Sequence, residues 1–349
     1  MGYDAREHAD AGSLMGLVVD AVDYHTAGEP FRIVTGGARS LQGQTILEKR
    51  RFALEHCDDV RKLLICEPRG HADMYGCFVT EPEDEGADLG VVFFHNAGYS
   101  TACGHGTIAL VTWALESGYL ESGTDTARRV VVDAPSGRLA CEATLHDGRV
   151  TSVRFRNVPS FVERRRVAVQ ACGREVETDI SYGGAFYASL PASKLGLRVN
   201  AADLGALIDA GRTIKRAIES AQDVVHPQHA DIRDVYGVIF YETIDADPTR
   251  LHQRNVTIFA DGEVDRSPCG SGTSARLALL DDDGSLASGA TLTHEGITGE
   301  RFTARVVERV EFAGRRAVVT EIGGSAYLTG YHTFILEKDD PLGTGFLLR

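Results

Sequence analysis

Apolar and polar positions in this chain follow two periods, and the change between them marks its elements. Gly16 to Gly37 carries two β-rich runs around Ala27-Gly28-Glu29-Pro30, which predicts a strand, a turn and a second strand, with His25 and Glu29 shaping the turn. From Gly43 to Pro68 the apolar residues Leu47, Phe52, Leu54, Val60, Leu63 and Leu64 recur at helical spacing among many charges, predicting a helix with a solvated face. Glu67 to Thr80 reads as a turn feeding a strand. Val130 to Leu145 and Val150 to Val162 read as strands separated by a His-Asp-Gly turn at 146 to 148. More strands follow in VAVQACGREVETDISYGGAFYASL, an amphipathic helix over Ala201 to Ile218, and strands in DVYGVIFYETI, FTARVVERVEF, RRAVVTEI and SAYLTGYHTFIL.

One unit of this pattern occurs twice. Residues 103 to 109 read CGHGTIA, and 166 positions further on residues 269 to 275 read CGSGTSA. Each copy follows a β-rich run, VVFFH or VTIFA, and leads into a mostly apolar helical segment. The first such helix, Thr107 to about Glu116, is apolar nearly all round, so it belongs at the centre of its domain with strands wrapped about it. Glycines after a Cys let the backbone approach a ligand, and the N–H groups and dipole of the helix start then face an anion beside the sulfur. The same field favours thiolate over thiol, so a low pKa is expected at both sulfurs. Two facing units place an acid/base pair of thiols, Cys103 and Cys269, on opposite sides of one small carboxylate.

Two domains are expected from the 349 residues and the repeat. The division reads as a polar tail over 1–14, an N-terminal half over 15–156 joined by 325–349, and a C-terminal half over 157–324. A net charge of −14 makes nucleic acid or an anionic membrane surface a poor partner. Seven scattered cysteines without any CxxC argue against a disulfide framework or a zinc ribbon and for a reducing compartment, hence a cytoplasmic location. Cys57, Cys66, Cys77, Cys141 and Cys172 read as buried structural thiols. His71 and Asp73 read as loop hydrogen-bonding residues, so no metal site is expected. With few lysines and no visible Schiff-base lysine, no pyridoxal phosphate or other cofactor is expected. Asp265 is either a turn residue or the partner of a ligand amine, and His105 either caps its loop or touches the ligand. Both loops match G-x-G-x-x-A, but a Cys-bearing loop intervenes after each strand and no acidic strand end follows, so dinucleotide binding is set aside. A Cys-His hydrolase leaves the second Cys unexplained.

A symmetric thiol pair suits proton removal from one face of a carbon and return to the other. The segments DYHTAGEP, EPRGHADMYG, HNAGYSTACGHGTIAL, FRNVPSF, YGGAFYA, RNVTIFADGEVDRSPCGSGTSAR and DDPLGTGF resemble the proline racemase family, from about Val22 to Phe346. That family includes hydroxyproline 2-epimerases and trans-3-hydroxy-L-proline dehydratases. The resemblance implies an α/β (α+β), diaminopimelate-epimerase-like fold of two pseudo-symmetric domains and a cofactor-independent isomerase acting on a proline-type imino acid. It makes Cys103 and Cys269 the acid/base pair, Gly104, His105, Gly270 and Ser271 the holders of the substrate carboxylate, and Asp265 with His105 the binders of the ring amine. EPRGHADMYG and GYST look like the dehydratase branch, which usually has Thr where this chain has Cys269; Cys at both places is the pattern of racemases and epimerases. One C2 carbanion serves both fates, so a 3-hydroxyproline enzyme that epimerises and dehydrates is expected. The alternatives are a proline racemase, a 4-hydroxyproline 2-epimerase, or a binding protein for proline-like amino acids without catalysis. His71, Asp73 and Tyr99 are candidates for the ring-substituent side. The oligomeric state stays open, a homodimer being one option.

Overall fold

A computed structural model describes residues 15–123 and 126–348; the tail expected over 1–14 lies outside the described residues. Strands β1 (Met15–Thr26) and β2 (Glu29–Gly36) form a hairpin closed by Ala27 and Gly28 at φ of +54° and +87°. Two central residues at positive φ are what a two-residue hairpin turn requires. Helices α1 (Ile46–His56) and α2 (Asp58–Ile65) cross to β3 (Tyr75–Thr80), which runs parallel to β2. Strand β4 (Leu89–His95) returns antiparallel, and the short β5 (Gly98–Tyr99) folds back on it. Helix α3 (Gly104–Glu116) follows; then β6 (Ala127–Ala134) lies parallel to β4, and β7 (Gly137–His146) and β8 (Arg149–Arg156) complete a meander.

The second half repeats this order step for step. Strands β9 (Ser160–Ala171), β10 (Arg174–Tyr182) and β11 (Phe186–Pro191) pair antiparallel, and α4 (Leu204–Ala221) crosses to β12 (Val235–Asp245), parallel to β11. Then come β13 (Arg250–Phe259), the short β14 (Glu263–Asp265), α5 (Gly270–Asp282), β15 (Thr291–Glu295) parallel to β13, and the meander β16 (Arg301–Phe312) and β17 (Arg315–Gly324). Finally β18 (Ala326–Glu337) returns to pair with β1, from Met15↔Glu337 to Thr26↔Ala326, as β9 pairs with β10. A bridge between Glu67 and Phe346 ties the last run to the segment between α2 and β3. Between the halves, β8 pairs with β17, Arg156 opposite Glu321.

The burial pattern explains why these segments take these forms. Strand β4 is buried at every position because it has a core on each face: Val91 and Phe93 join the core around α3, Val92 and Phe94 the one under α1 and α2. Strand β7 alternates instead, Leu139, Cys141, Ala143 and Leu145 inward, because its other face meets solvent. Helix α3 is buried from Gly104 to Leu115 and α5 from Gly270 to Leu280, so each is the axis of its half. On the outside, α4 buries only Leu207, Ala210, Gly211, Ile214 and Ile218, one stripe of an amphipathic helix.

Three expectations are corrected. The single helix read from 43 to 68 is two, broken at Cys57, and α1 buries Ile46, Lys49 and Ala53 while Leu54 is 55% exposed. Lys49 can be buried there because its ammonium donates to the Glu81 carbonyl. Cys172 is an exposed turn residue at φ +51°, whereas Cys57, Cys66, Cys77 and Cys141 are buried. The central helix starts at Gly104, three residues before the expected Thr107, so the glycine loop is its first turn. Among the described residues no helix is long and apolar enough to cross a membrane.

Candidate active site

Cys103 and Cys269 are the N-cap residues of the two axial helices. Those helices meet end to end. A Cβ on Gly104 would lie 2.4 Å from the Gly270 Cα, and one on Gly270 2.6 Å from the Gly104 Cα. No side chain fits there, which is the physical need for the first glycine of each CGxG. The second glycine has a different one: a Cβ on Gly106 would reach 2.7 Å from the Cys103 sulfur, and one on Gly272 2.9 Å from that of Cys269. Each thiol thus lies flat on the first turn of its own helix.

Both cysteines, with Gly104, His105, Asp265 and Ser271, line one cavity of about 10 Å³. Gly270 does not line it and packs instead against Gly104. The imidazole Nε2 of His105 lies 3.3 Å from the Cys103 sulfur, and its Nδ1 3.8 Å from Asp265 Oδ2. Asp265 fills the turn role with its other oxygen, accepting from the Ser267 amide at 2.9 Å and hydroxyl at 2.6 Å. Both readings made for Asp265 therefore have an oxygen available. Ser271 Oγ is 2.7 Å from the Tyr187 hydroxyl, which in turn lies 3.8 Å from the Cys269 sulfur. The loop Gly183-Gly184 braces both units: Thr101 donates to the Gly184 carbonyl at 2.7 Å, and a Cβ on Gly183 would strike the Ser271 carbonyl.

The expected low thiol pKa is not found in this closed arrangement. Burial pushes Cys103 well up, and the charges of Asp265 and Glu29 act the same way against the one N–H that Gly106 donates to its sulfur. Cys269 is also pushed well up by burial and by Asp265, opposed by the Gly272 amide and the Thr257 and Tyr187 hydroxyls. A helix terminus contributes at most about 2 kcal/mol, less than removing a thiolate from water costs. His105 is pushed down to about 4, because burial outweighs Asp265, and is a neutral imidazole at pH 7.

Several site residues carry no signal in spacing or composition. Tyr75, Tyr187, Tyr236, Thr257 and Phe259 line the cavity, each from a strand that reads as ordinary β sequence. The Thr257 hydroxyl is wholly buried on the Cys269 side of this cavity, where it helps hold the pKa of that thiol down. Glu29, expected to shape a turn, is fully buried and joins the halves: the Arg266 Nε and amide both donate to its Oε2, at 2.7 and 2.8 Å. Burial, against Arg266, pushes it up to about 8. The candidates for the ring-substituent side do not line the cavity. Tyr99 donates its hydroxyl to Ala53, Asp73 accepts from the Val264 amide at 3.1 Å, and His71 Nδ1 lies 2.7 Å from the Ala72 carbonyl.

Comparison with known proteins gives this geometry its relatives. The proline racemase family profile matches residues 21–347. A trans-3-hydroxy-L-proline dehydratase of Bacillus cereus is 44% identical over 331 residues, 95% of this chain and 98% of the relative. A 3-hydroxyproline 2-epimerase of Burkholderia multivorans is also 44% identical, over 332 residues, with the same coverage of each chain. A solved hydroxyproline epimerase of Agrobacterium vitis, with bound trans-4-hydroxy-L-proline, superposes with a TM-score of 0.88 at 31% identity, covering 95% of this chain and 96% of that one. The fold is the expected α/β, diaminopimelate-epimerase-like one. With the match spanning 21–347 and relatives at 44% identity along 95% of its length, the chain belongs to the proline racemase family.

Proposed function

We propose that this chain is a cofactor-independent enzyme that removes the C2 proton of trans-3-hydroxy-L-proline, using Cys103 and Cys269 as base and acid. The observation that carries the reading is the contact between Gly104 and Gly270, which puts both cysteines on one cavity. The amides of Gly104, His105, Gly270 and Ser271 receive the carboxylate, and Asp265 with His105 receives the ring amine. A thiolate on one side takes the C2 proton, and charge moves onto the carboxylate oxygens. Preorganised amides stabilise such an oxyanion by about 2.7–4 kcal/mol each. The cation of the ring amine, entering beside two buried sulfurs, offsets the burial that holds them protonated.

Two outcomes follow from the carbanion. If the second thiol gives its proton to the opposite face, C2 is inverted. If the C3–O bond breaks instead, the electron pair forms C2=C3, the oxygen takes up a proton from an acid in the site and leaves as water, and the enamine tautomerises to pyrroline-2-carboxylate. Relatives named for each outcome stand at the same identity to this chain, which supports a substrate common to both. A cavity of about 10 Å³ holds about one water, so the two halves must part to admit a pyrrolidine ring. Closure then excludes water from the carbanion.

Proton NMR of the reduced enzyme in D₂O with L-proline, trans-4-hydroxy-L-proline and trans-3-hydroxy-L-proline, each alone, tests the reading. Loss of the C2 signal from the 3-hydroxy compound with growth of its epimer, pyrroline or both is expected. Turnover of the other two rings alone would move the substrate. Binding without C2 exchange in any tube would replace the enzyme with a binding protein.

A further inference from the structure

The hydroxyls around the cavity form two separate groups. Tyr187 and Ser271 sit beside the Cys269 sulfur and belong to the proton chemistry at C2. Tyr75 and Tyr236 do not: among the described residues neither hydrogen bonds to a sulfur, and their hydroxyls lie 2.9 Å from one another. Tyr75 donates to Ser100 Oγ, which donates onward to the Ala102 carbonyl at 3.4 Å. Since the Tyr75 proton is engaged there, Tyr236 donates across the contact to Tyr75, and its proton is the one that can turn from Tyr75 toward a bound ring. The two come from opposite halves, Tyr75 opening β3 and Tyr236 standing second in β12. Rings hold Tyr236 in place, Phe259 stacked at 5.4 Å and His95 edge-on at 5.7 Å.

Tyr236 also has a second face. Besides the inner cavity it lines an outer cleft of about 540 Å³ between the halves, whose walls include Arg50, Lys215, Asp231 and Asp234. Tyr236 therefore lines both the inner cavity and a charged cleft open to the outside.

Breaking the C3–O bond needs a proton, because hydroxide is a poor leaving group; in this branch one cysteine has taken the C2 proton, and the other stands across C2, where its proton serves inversion rather than the ring substituent. We infer that Tyr236, held by Tyr75, protonates the departing C3 hydroxyl and is reloaded from the outer cleft. The inference rests on the 3-hydroxyproline reading above. In the step, the C2 electron pair becomes the C2=C3 bond, the C3–O pair stays on oxygen, and the Tyr236 proton joins that oxygen to release water. A proton from the cleft then restores the phenol, and the cysteine that took the C2 proton returns it to solvent. Burial pushes both phenols well up, so each carries its proton at neutral pH.

The full-length enzyme and its Tyr236→Phe variant are each given trans-3-hydroxy-L-proline in D₂O, and pyrroline formation is measured alongside C2 hydrogen exchange. The ratio of pyrroline to exchange is expected to fall at least about 10²-fold in the variant, the usual worth of a general acid. A 3-chloro analogue, whose chloride departs without a proton, should restore elimination in the variant. An unchanged ratio, or equal impairment with the chloro analogue, overturns the inference, since a merely packing role affects both leaving groups alike. Wild-type C2 exchange without any pyrroline also overturns it while leaving the two-thiol reading intact. No exchange at all removes the two-thiol reading itself.

Discussion

Cys269 occupies a backbone conformation that Cys103 does not, with φ at +61° against −151°. A β-carbon residue in the positive region costs on the order of 1–3 kcal/mol, and such strain is retained where the surroundings over-determine it. The two sulfurs also differ in company. Cys103 receives the Gly106 amide at 3.3 Å and lies beside His105, while Cys269 has the Tyr187 hydroxyl at 3.8 Å. In the proposed mechanism inversion nonetheless needs both, one to take and one to give. Cys103→Ser and Cys269→Ser are each expected to slow formation of the C2 epimer by about 10²–10⁴-fold, measured by chiral chromatography. Epimerisation by Cys269→Ser at the wild-type rate would refute the pairing. These two residues were legible in the chain because their context repeats. Glu29 and the three cavity tyrosines were not, because a carboxylate in a turn and an aromatic in a strand look the same whether or not a site lies beside them.

At the scale of elements, the decisive contact is between two helix starts. Gly104→Ala would place a methyl 2.4 Å from the Gly270 Cα, closer than any real Cβ contact, and only backbone can yield there. The helix ends must move apart, and a displacement near 1 Å between acid and base costs about 10²-fold. Loss of C2 exchange by that factor is expected, with a lowered thermal midpoint. Gly118→Ala provides the contrast: its φ is +76° but open space surrounds it, so a cost of about 1–2 kcal/mol is expected with C2 exchange retained. Equal effects from the two would mean that the helix contact has no special role. The periodic pattern showed both axial helices, since an all-apolar segment has nowhere to go but inside. It could not show that they start at the glycines, because a Gly-rich first turn has loop composition.

For the whole molecule, three fully buried histidines set the response to acid. His95 is pushed down to about 3, His105 to about 4 and His294 to about 3, in each case mainly by burial. The folded protein keeps them neutral, while the unfolded chain protonates them below about pH 6.5. The unfolded state then binds more protons, so stability rises with pH across this window and falls as pH drops from about 6.5 toward 4. Glu29 opposes this. With its carboxyl raised to about 8, the folded state holds one proton more than the unfolded between about 4.5 and 8. His226, less deeply enclosed but also pushed down to about 4, acts with the three, so at least three protons against one leave a net loss of roughly 2–4 kcal/mol per pH unit near pH 5. Urea midpoints at pH 7, 6 and 5 should fall in that order; a flat series would mean that these histidines are protonated in the folded state.

The chain by itself determined the doubled order of elements and the two cysteine-led helix starts at its centre. Repeated strand, Cys-Gly-x-Gly-Thr and buried-helix signals are local, and local signals are what period and glycine placement encode. What only the tertiary structure decided lies between segments far apart in sequence: that Gly104 meets Gly270, that Glu29 pairs with Arg266 across 237 residues, and that Tyr75 and Tyr236 share a hydrogen bond across 161. It also reversed the expected thiol acidity. A helix terminus can be read from a sequence, but the degree to which folding removes water from the sulfur beside it depends on every element that closes over the cavity, and that desolvation is the larger effect.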